Sequence, residues 1–519
     1  MRAATVFKSF IFLACSIKTC YNARILASIP TASYSHQVAF RPIWKELAKR
    51  GHEIVLMTTD PMEDTENIKQ IDMSFSYDIM KEEKYNELVT KKIEDPLKFF
   101  EKFIAIFKKI YFEQLRHPEV QAMIHNKSEQ FDLLMIEVVF PIHLGFVERF
   151  KAPMIGLSSL DVANRFHNAL GNAAHPVLYP DTTIVPYFFP LSLKERILST
   201  IAEAISSIYG TYFLGPPLDS ELRKIFGEKC RKMIDLVGEV DMMFMNVNPI
   251  LHSIRALSPR TILFGGGFHV DNKTKPLPKD LKRYLDDAEN GVIYFSLGSN
   301  VKSYLLSDRL KKVFLETLSE LPYKVLWKFE TENLSHKPDN VWISKWFPQT
   351  DIFKHPNIKL FITQCGLQSM EEAIMHRIPM LGIPFFGDQP VNGKILEKRG
   401  LGVTVSPDSL TKEVFKNAID EVINNNLYKK NVINTAELFT DVEMTGLEKV
   451  VWWSEYVIRN KGAKILKNTS MRLPFYQYYM LDVMVFILLM IITFSFLTKK
   501  CFSLFMSCIF GSAKKCKEQ

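Results

Sequence analysis

Cysteine is scarce where it would matter most. The chain has 519 residues and seven cysteines. Cys15 and Cys20 lie near the start, and Cys501, Cys508 and Cys516 lie near the end, so the body keeps only Cys230 and Cys365. One disulfide is the most that pair can form, which excludes a disulfide scaffold, and no Cys/His spacing suggests zinc. Short-period repeats and low-complexity tracts are absent, which excludes solenoids and compositional tails. Charge of one sign is missing from the body as well. Of the net +8, three charges sit in residues 1–23 and four in residues 499–519, leaving about one for everything between. A body without a basic footprint is no nucleic-acid binder. What is present is ordinary globular usage, 47% hydrophobic and 24% charged, in a chain long enough for two domains or more.

Both ends read as membrane-trafficking segments. Arg2 and Lys8 precede an apolar run over residues 10–17, which predicts a signal peptide over residues 1–23. A plain N-terminal strand or an uncleaved anchor is the competing reading. Residues 483–497 carry no charge, with Tyr476, Tyr478 and Tyr479 before them and Lys499 and Lys500 after. A span needs ~20 residues, so it is predicted over 478–498, against the rival reading of a buried core helix. Positive charge belongs on the cytosolic side, which makes residues 499–519 a cytosolic tail and the body lumenal. Asn126, Asn272, Asn333 and Asn468 each begin an acceptor triplet for glycosylation. The ending Lys515-Cys516-Lys517-Glu518-Gln519 resembles the dilysine tail that keeps type I membrane proteins in the endoplasmic reticulum.

Between these ends, short β-rich runs alternate with helical stretches. They fall at residues 25–29, 53–59, 131–137, 154–158 and 242–247, and again at 292–297, 325–329, 341–343, 359–363 and 380–383. Near-continuous apolar strands alternating with helices predict parallel sheets covered on both faces. The fold class is α/β, with the boundary in the linker-like stretch between 267 and 291, giving halves at 24–275 and 276–470. Ligands in such sheets bind at the carboxyl ends of the strands.

Residues 346–389 carry the most chemistry. A strand ends at Thr363, and Gln364-Cys365-Gly366-Leu367-Gln368-Ser369 turns into a helix predicted over 369–377. Strand, turn and helix aim backbone N–H groups and a positive dipole end at an anion, most often phosphate. Glu372 can accept hydrogen bonds from a ribose diol, Trp346 offers a flat face to a base, and Asp388 with Gln389 suits sugar hydroxyls.

This stretch resembles the signature of the UDP-glycosyltransferases, as do Phe295-Ser296-Leu297-Gly298-Ser299 and Gly265-Gly266 upstream, and the resemblance covers nearly the whole chain. It implies a GT-B fold of two facing Rossmann-like domains, acceptor-binding first and UDP-sugar-binding second. It implies that Trp346 stacks on uracil, Gln349 helps hold the uridine, and Glu372 takes the ribose. Ser299, Gln364 and the turn of Gly366, Gln368 and Ser369 then take the diphosphate, and Asp388 and Gln389 the sugar. Two positions depart from the commonest pattern. Gln364 stands where many members have His, a form closer to the arthropod branch, and Cys365 stands where Gly is usual and can crowd the turn.

The base is sought beyond the first strand. His36 follows residues 25–29 by a short loop and titrates near neutrality. The resemblance makes it the catalytic base and Glu137, ending the strand 131–137, the acid that orients it. It implies inverting transfer without a metal or a separate cofactor, the UDP-sugar being a co-substrate. Asp286-Asp287 reads as a solvated pair. The partners expected are a UDP-sugar, a small lipophilic acceptor in a detoxification-type conjugation and the membrane, through one C-terminal span. A homo-oligomer is left open. Phe99, Phe100, Phe103, Phe107 and Phe112 mark a helix that forms core or lines an acceptor site, as does Tyr187-Phe188-Phe189. Glucose is the donor sugar the arthropod-like form implies, with glucuronate, galactose and xylose open. The rival class is a lumenal binding protein that has lost turnover.

Overall fold

The computed structural model describes residues 22–91, 93–252, 254–270, 275–468 and 473–515. Its body holds two all-parallel sheets. The first has seven strands in the order β3-β2-β1-β4-β5-β6-β7. These are β1 Arg24–Ile29, β2 Glu53–Thr58, β3 Ile68–Asp72, β4 Leu133–Glu137, β5 Met154–Ser158, β6 Met242–Met245 and β7 Thr261–Leu263. The second has six, β10-β9-β8-β11-β12-β13: β8 Val292–Ser296, β9 Lys324–Lys328, β10 Val341–Ser344, β11 Ile358–Thr363, β12 Met380–Gly382 and β13 Gly402–Thr404. Strands β4, β5, β6 and β8 are buried at every residue, as sheets covered by helices on both faces require.

In each sheet the strand order reverses beside its first strand. Strand β1 lies between β2 and β4, and β8 lies between β9 and β11. The crevice outside such a switch point is where a doubly wound sheet receives its ligand. The segment leaving β1 carries His36, β4 ends in Glu137, and the segments leaving β8 and β11 carry Ser299 and Gln364.

Three strands go beyond the sequence reading. Strand β3 is an edge strand of mixed polarity, and β7 and β13 have only three residues each, too short to show a period. The helix expected over 369–377 runs Leu367–Met375. After the second sheet is complete the chain returns to the first. The helix Gly446–Arg459, closed at its start by a capping box of Thr445 and Glu448, puts Val450, Val451 and Val457 into one core with Phe40, Trp44 and Phe244. Arg50 fixes it with a 3.1 Å bond to Glu455. The stretch 276–470 therefore does not keep to its own sheet.

The last 52 residues form a separate unit. Its helix Leu481–Lys515 contains an apolar segment, Leu481–Ser507, of mean hydropathy 2.4 in its most apolar window, long and apolar enough to cross a membrane. The helix does not stop at Lys499 and Lys500, so the expected tail from residue 499 is helical as far as Lys515. A second segment, Leu193–Phe226, meets the same length and composition, at mean hydropathy 1.2, although a π-helical turn at Tyr209–Leu214 interrupts it. The sequence reading foresaw only the first. The expected leader up to residue 21, the final four residues and the Asn272 triplet lie outside the described residues.

Candidate active site

Past β1 the chain makes a short helix, Tyr34–Val38, with His36 in its last turn. Gln37 anchors this helix from below. Its amide donates to the carbonyls of Ile29 and Thr31 at 2.9 and 3.0 Å and to Thr59 Oγ1 at 3.0 Å. Glu137 ends β4 and is fully buried. Its Oε2 accepts from the Thr31 amide at 3.2 Å, and its Oε1 lies 2.6 Å from His36 Nδ1. A carboxylate only accepts, so Nδ1 carries the proton of this hydrogen bond. Ser159 Oγ lies 2.9 Å from the same Nδ1. The sequence reading missed Ser159. Its one available signal was its place immediately after β5, at a carboxyl strand end.

In the second half, the helix Leu367–Met375 follows Gly366, its N-cap, and carries two stripes. Ser369 and Glu372 form one, and Gln349 Nε2 reaches both, at 3.2 Å to Ser369 Oγ and 2.5 Å to Glu372 Oε2. Gln368 and Glu371 form the other and face the first half. Gln368 Nε2 donates to the Ser159 carbonyl at 3.0 Å, and Glu371 accepts from Asn246 Nδ2 at 3.2 Å and from the Gly266 amide at 2.8 Å. The His269 side chain is buried between Glu371 and Glu372, each ring nitrogen 3.7 Å from a carboxylate oxygen. Burial pulls its pKa down, but the two carboxylates more than offset this and raise it above the ordinary value.

Gln364 is buried and lies over Gly298, whose positive φ of 73° and missing side chain leave it the room. Ser299 turns its carbonyl to Lys302 Nζ, at 2.6 Å. Trp346 keeps an exposed face while its ring meets Tyr34 edge-on at 5.2 Å. Asp388 accepts from Asn392 Nδ2 at 2.6 Å, and burial raises its pKa against the pull of Asn392 and His36. Gln389 is buried, with Oε1 accepting from the amides of Phe385 and Phe386 at 2.9 and 3.2 Å. The structure thus brings together His36 with Glu137, and Gln349 with Ser369 and Glu372. It turns the side-chain contacts of Gln368 and Gln389 toward the protein itself.

Cys365 is fully buried with φ 67°, in the left-handed region that favours glycine. Burial pushes its thiol pKa up. Its carbonyl accepts from Asn392 Nδ2 at 2.9 Å. Asp286 bonds Lys282 at 2.5 Å and His355 at 3.1 Å on the surface. Among the described residues, no three His, Cys, Asp or Glu side chains converge as a metal site.

The phenylalanine helix, Pro96–Arg116, divides its aromatics. Phe107 and Phe112 are core, and Phe100 is exposed. Phe103, Phe107 and Phe140 form a cluster, with centroids at 4.7 Å for Phe103–Phe107 and 5.4 Å for Phe107–Phe140. Tyr85 joins it to Phe386, next to the loop of Asp388, at 6.4 Å. Tyr187 and Phe188 lie under Lys394 and Lys398 of the helix Gln389–Lys398.

The family described as UDP-glucoronosyl and UDP-glucosyl transferase matches residues 24–516. UDP-glucosyltransferase 2 of Dactylopius coccus is 31% identical over 490 residues, 93% of each chain. UDP-glucuronosyltransferase 2B7 of Homo sapiens is 28% identical over 507 residues, 94% of each. Among solved structures, the glycotransferase of kitacinnamycin superposes with a TM-score of 0.54 at 14% identity, covering 85% of this chain and 100% of that one. Spinosyn forosaminyltransferase SpnP gives 0.53 at 13%, covering 84% and 99%. The architecture is GT-B.

Proposed function

We propose that this chain, which belongs to the UDP-glucoronosyl and UDP-glucosyl transferase family, moves a hexose, glucose in our reading, from a UDP-sugar to a hydroxyl of small lipophilic acceptors. The observation that carries this is the His36–Glu137 pair at 2.6 Å, at the switch point of the first sheet. With its proton held on Nδ1, the imidazole presents a basic Nε2. That nitrogen takes the acceptor hydroxyl proton as the oxygen bonds to the anomeric carbon, and the bond from that carbon to the UDP oxygen breaks with its electron pair. Attack opposite the leaving group inverts the configuration. The balance is acceptor and UDP-sugar in, glycoside, UDP and one proton out. Charge growing on the diphosphate meets the N-terminus of the helix Leu367–Met375, Ser299 and Gln364, and Glu372 with Gln349 is set to hold the ribose. Trp346, through its exposed face, takes the uracil, and Asp388 and Gln389 take the sugar. The cluster of Phe103, Phe140 and Tyr85 supplies an apolar wall for the acceptor. This reading uses no metal.

In the same reading the enzyme serves detoxification-type conjugation. It sits in the endoplasmic reticulum membrane as a type I protein with its body in the lumen, anchored by Leu481–Ser507. Protease added to intact microsomes then trims only a few kilodaltons, and carbonate at high pH leaves the chain in the membrane. Release into the supernatant overturns the span.

Purified membranes given UDP-glucose and a panel of phenols test the transfer. UDP release is expected, faster with UDP-glucose than with UDP-glucuronate, UDP-galactose or UDP-xylose. Cys365 in left-handed backbone favours one second reading, a binder without turnover. Donor binding with no UDP release from any donor selects that reading and overturns ours.

A further inference from the structure

The Nδ1–H of His36 has two acceptors within reach, one on a carboxyl group and one on a hydroxyl. Glu137 Oε1 lies at 2.6 Å and Ser159 Oγ at 2.9 Å. A protonated Nδ1 has no lone pair for the serine hydroxyl, so Ser159 is the second acceptor of a shared hydrogen bond. The two come from neighbouring strands. Glu137 ends β4, where it pairs with Leu157, and Ser159 directly follows β5. Two anchors on adjacent strands fix the plane of the imidazole and hence the direction of Nε2. One anchor alone leaves the ring free to swing about it.

Ser159 is also where the second half touches the base. It is fully buried, and its carbonyl accepts from Gln368 Nε2 at 3.0 Å, a contact spanning 209 residues of sequence. Gln368 shares its helix with Ser369 and Glu372, which turn toward Gln349 on the other stripe. One helix therefore carries both the ribose carboxylate and the amide that seats Ser159.

We propose that Ser159 is a positioning residue for His36, and that through Gln368 it makes the alignment of the base depend on the seating of the donor half. The proposal rests on the transfer reading above. When the helix Leu367–Met375 is in place, the Ser159 peptide is held and its hydroxyl completes the cradle of Nδ1. When that helix withdraws, His36 is left with Glu137 alone. Acceptor deprotonation is then tied to a closed donor half.

The test uses the full-length protein in membranes, with the variants Ser159→Ala, Ser159→Thr and Gln368→Met. Turnover, KM for UDP-glucose and thermal unfolding are measured for each, and UDP affinity by calorimetry. Loss of one net hydrogen bond at the base predicts kcat down roughly 3- to 10-fold in Ser159→Ala, with KM for UDP-glucose unchanged. Ser159→Thr keeps the hydroxyl and restores most of the rate. Gln368→Met lowers kcat similarly with UDP affinity kept, and it costs little more in the Ser159→Ala background, because both act through one contact. Wild-type kcat in Ser159→Ala overturns the proposal, as does a loss that Ser159→Thr does not recover and that tracks a fall in melting temperature. A Gln368→Met variant that loses UDP affinity and keeps kcat overturns the relay. Absence of turnover in the wild type removes the transfer reading itself, a result distinct from these.

Discussion

His36 Nδ1 and Glu137 Oε1 lie 2.6 Å apart although 101 residues separate them in sequence. They meet because β1 and β4 are neighbours in the sheet, with Glu137 the last residue of β4 and His36 on the chain that leaves β1 at the same end. The pair sets the tautomer, and that makes a specific prediction. Glu137→Gln has nearly the same shape but can donate to Nδ1, which moves the ring proton to Nε2 and removes the base. Turnover falls roughly 10²–10⁴-fold while UDP affinity by calorimetry is unchanged. Wild-type turnover in this variant contradicts the orienting role.

Asp388 and Gln389 are expected to separate the sugar from the nucleotide. Asp388→Ala weakens UDP-sugar binding and leaves UDP binding nearly unchanged, read by calorimetry with both ligands. Gln389→Ala does the same and also leaves the amides of Phe385 and Phe386 without their acceptor. It therefore loses about 1–3 kcal/mol of stability as well. Equal loss of both ligands in Asp388→Ala would falsify the sugar assignment.

Cys365 and Gly382 are fitted to each other. A Cβ on Gly382 would collide with Cys365 Sγ and crowd Thr404. Gly382→Ala is expected to cost about 1–3 kcal/mol by overpacking. In a Cys365→Gly background the thiol is gone and most of that cost disappears, so the two substitutions are not additive. Denaturant unfolding of the two single variants and the double variant checks this. Additive losses would show that the sulfur is not the obstacle.

Much of the architecture is legible in the sequence because buried parallel strands are continuous apolar runs, as in Met154–Ser158 and Val292–Ser296. Strand β3 escapes because Ile68-Lys69-Gln70-Ile71-Asp72 is a mixed edge, and β13 because three residues show no period. His36 is singled out by its place past a strand end together with the resemblance, which is what makes it the expected base. Ser159 is not, because a serine acquires meaning only from a partner 123 residues away. The resemblance places Gln368 in the diphosphate turn, and only the structure shows that its side-chain amide reaches the Ser159 carbonyl. With the helix beginning at Leu367, residues 368 and 371 form one stripe and 369 and 372 another. The return of Gly446–Arg459 to the first sheet is equally hidden, since an amphipathic face says that a helix packs and not upon what. Lys499 and Lys500 mark the edge of an apolar stretch but do not end the helix, because lysine is a good helix former.

His269, between Glu371 and Glu372, gives the fold a pH signature. Its pKa in the folded chain is raised from the ordinary 6.5, after the two carboxylates offset the effect of burial. A raised histidine stabilises the folded state fully below its unfolded value, and the contribution is lost as pH rises through the folded value. His269→Gln removes it. The melting temperatures of wild type and variant should differ most below about pH 6.5 and converge at alkaline pH. A difference that grows with pH would mean that the imidazole is not held as a cation between these carboxylates.

The most direct test of the central claim compares wild type and His36→Ala in one preparation, with UDP release measured at saturating UDP-glucose and phenolic acceptor and UDP affinity measured by calorimetry. With His36 as the base, turnover falls roughly 10²–10⁴-fold and UDP affinity is retained. Near wild-type turnover in His36→Ala contradicts the account.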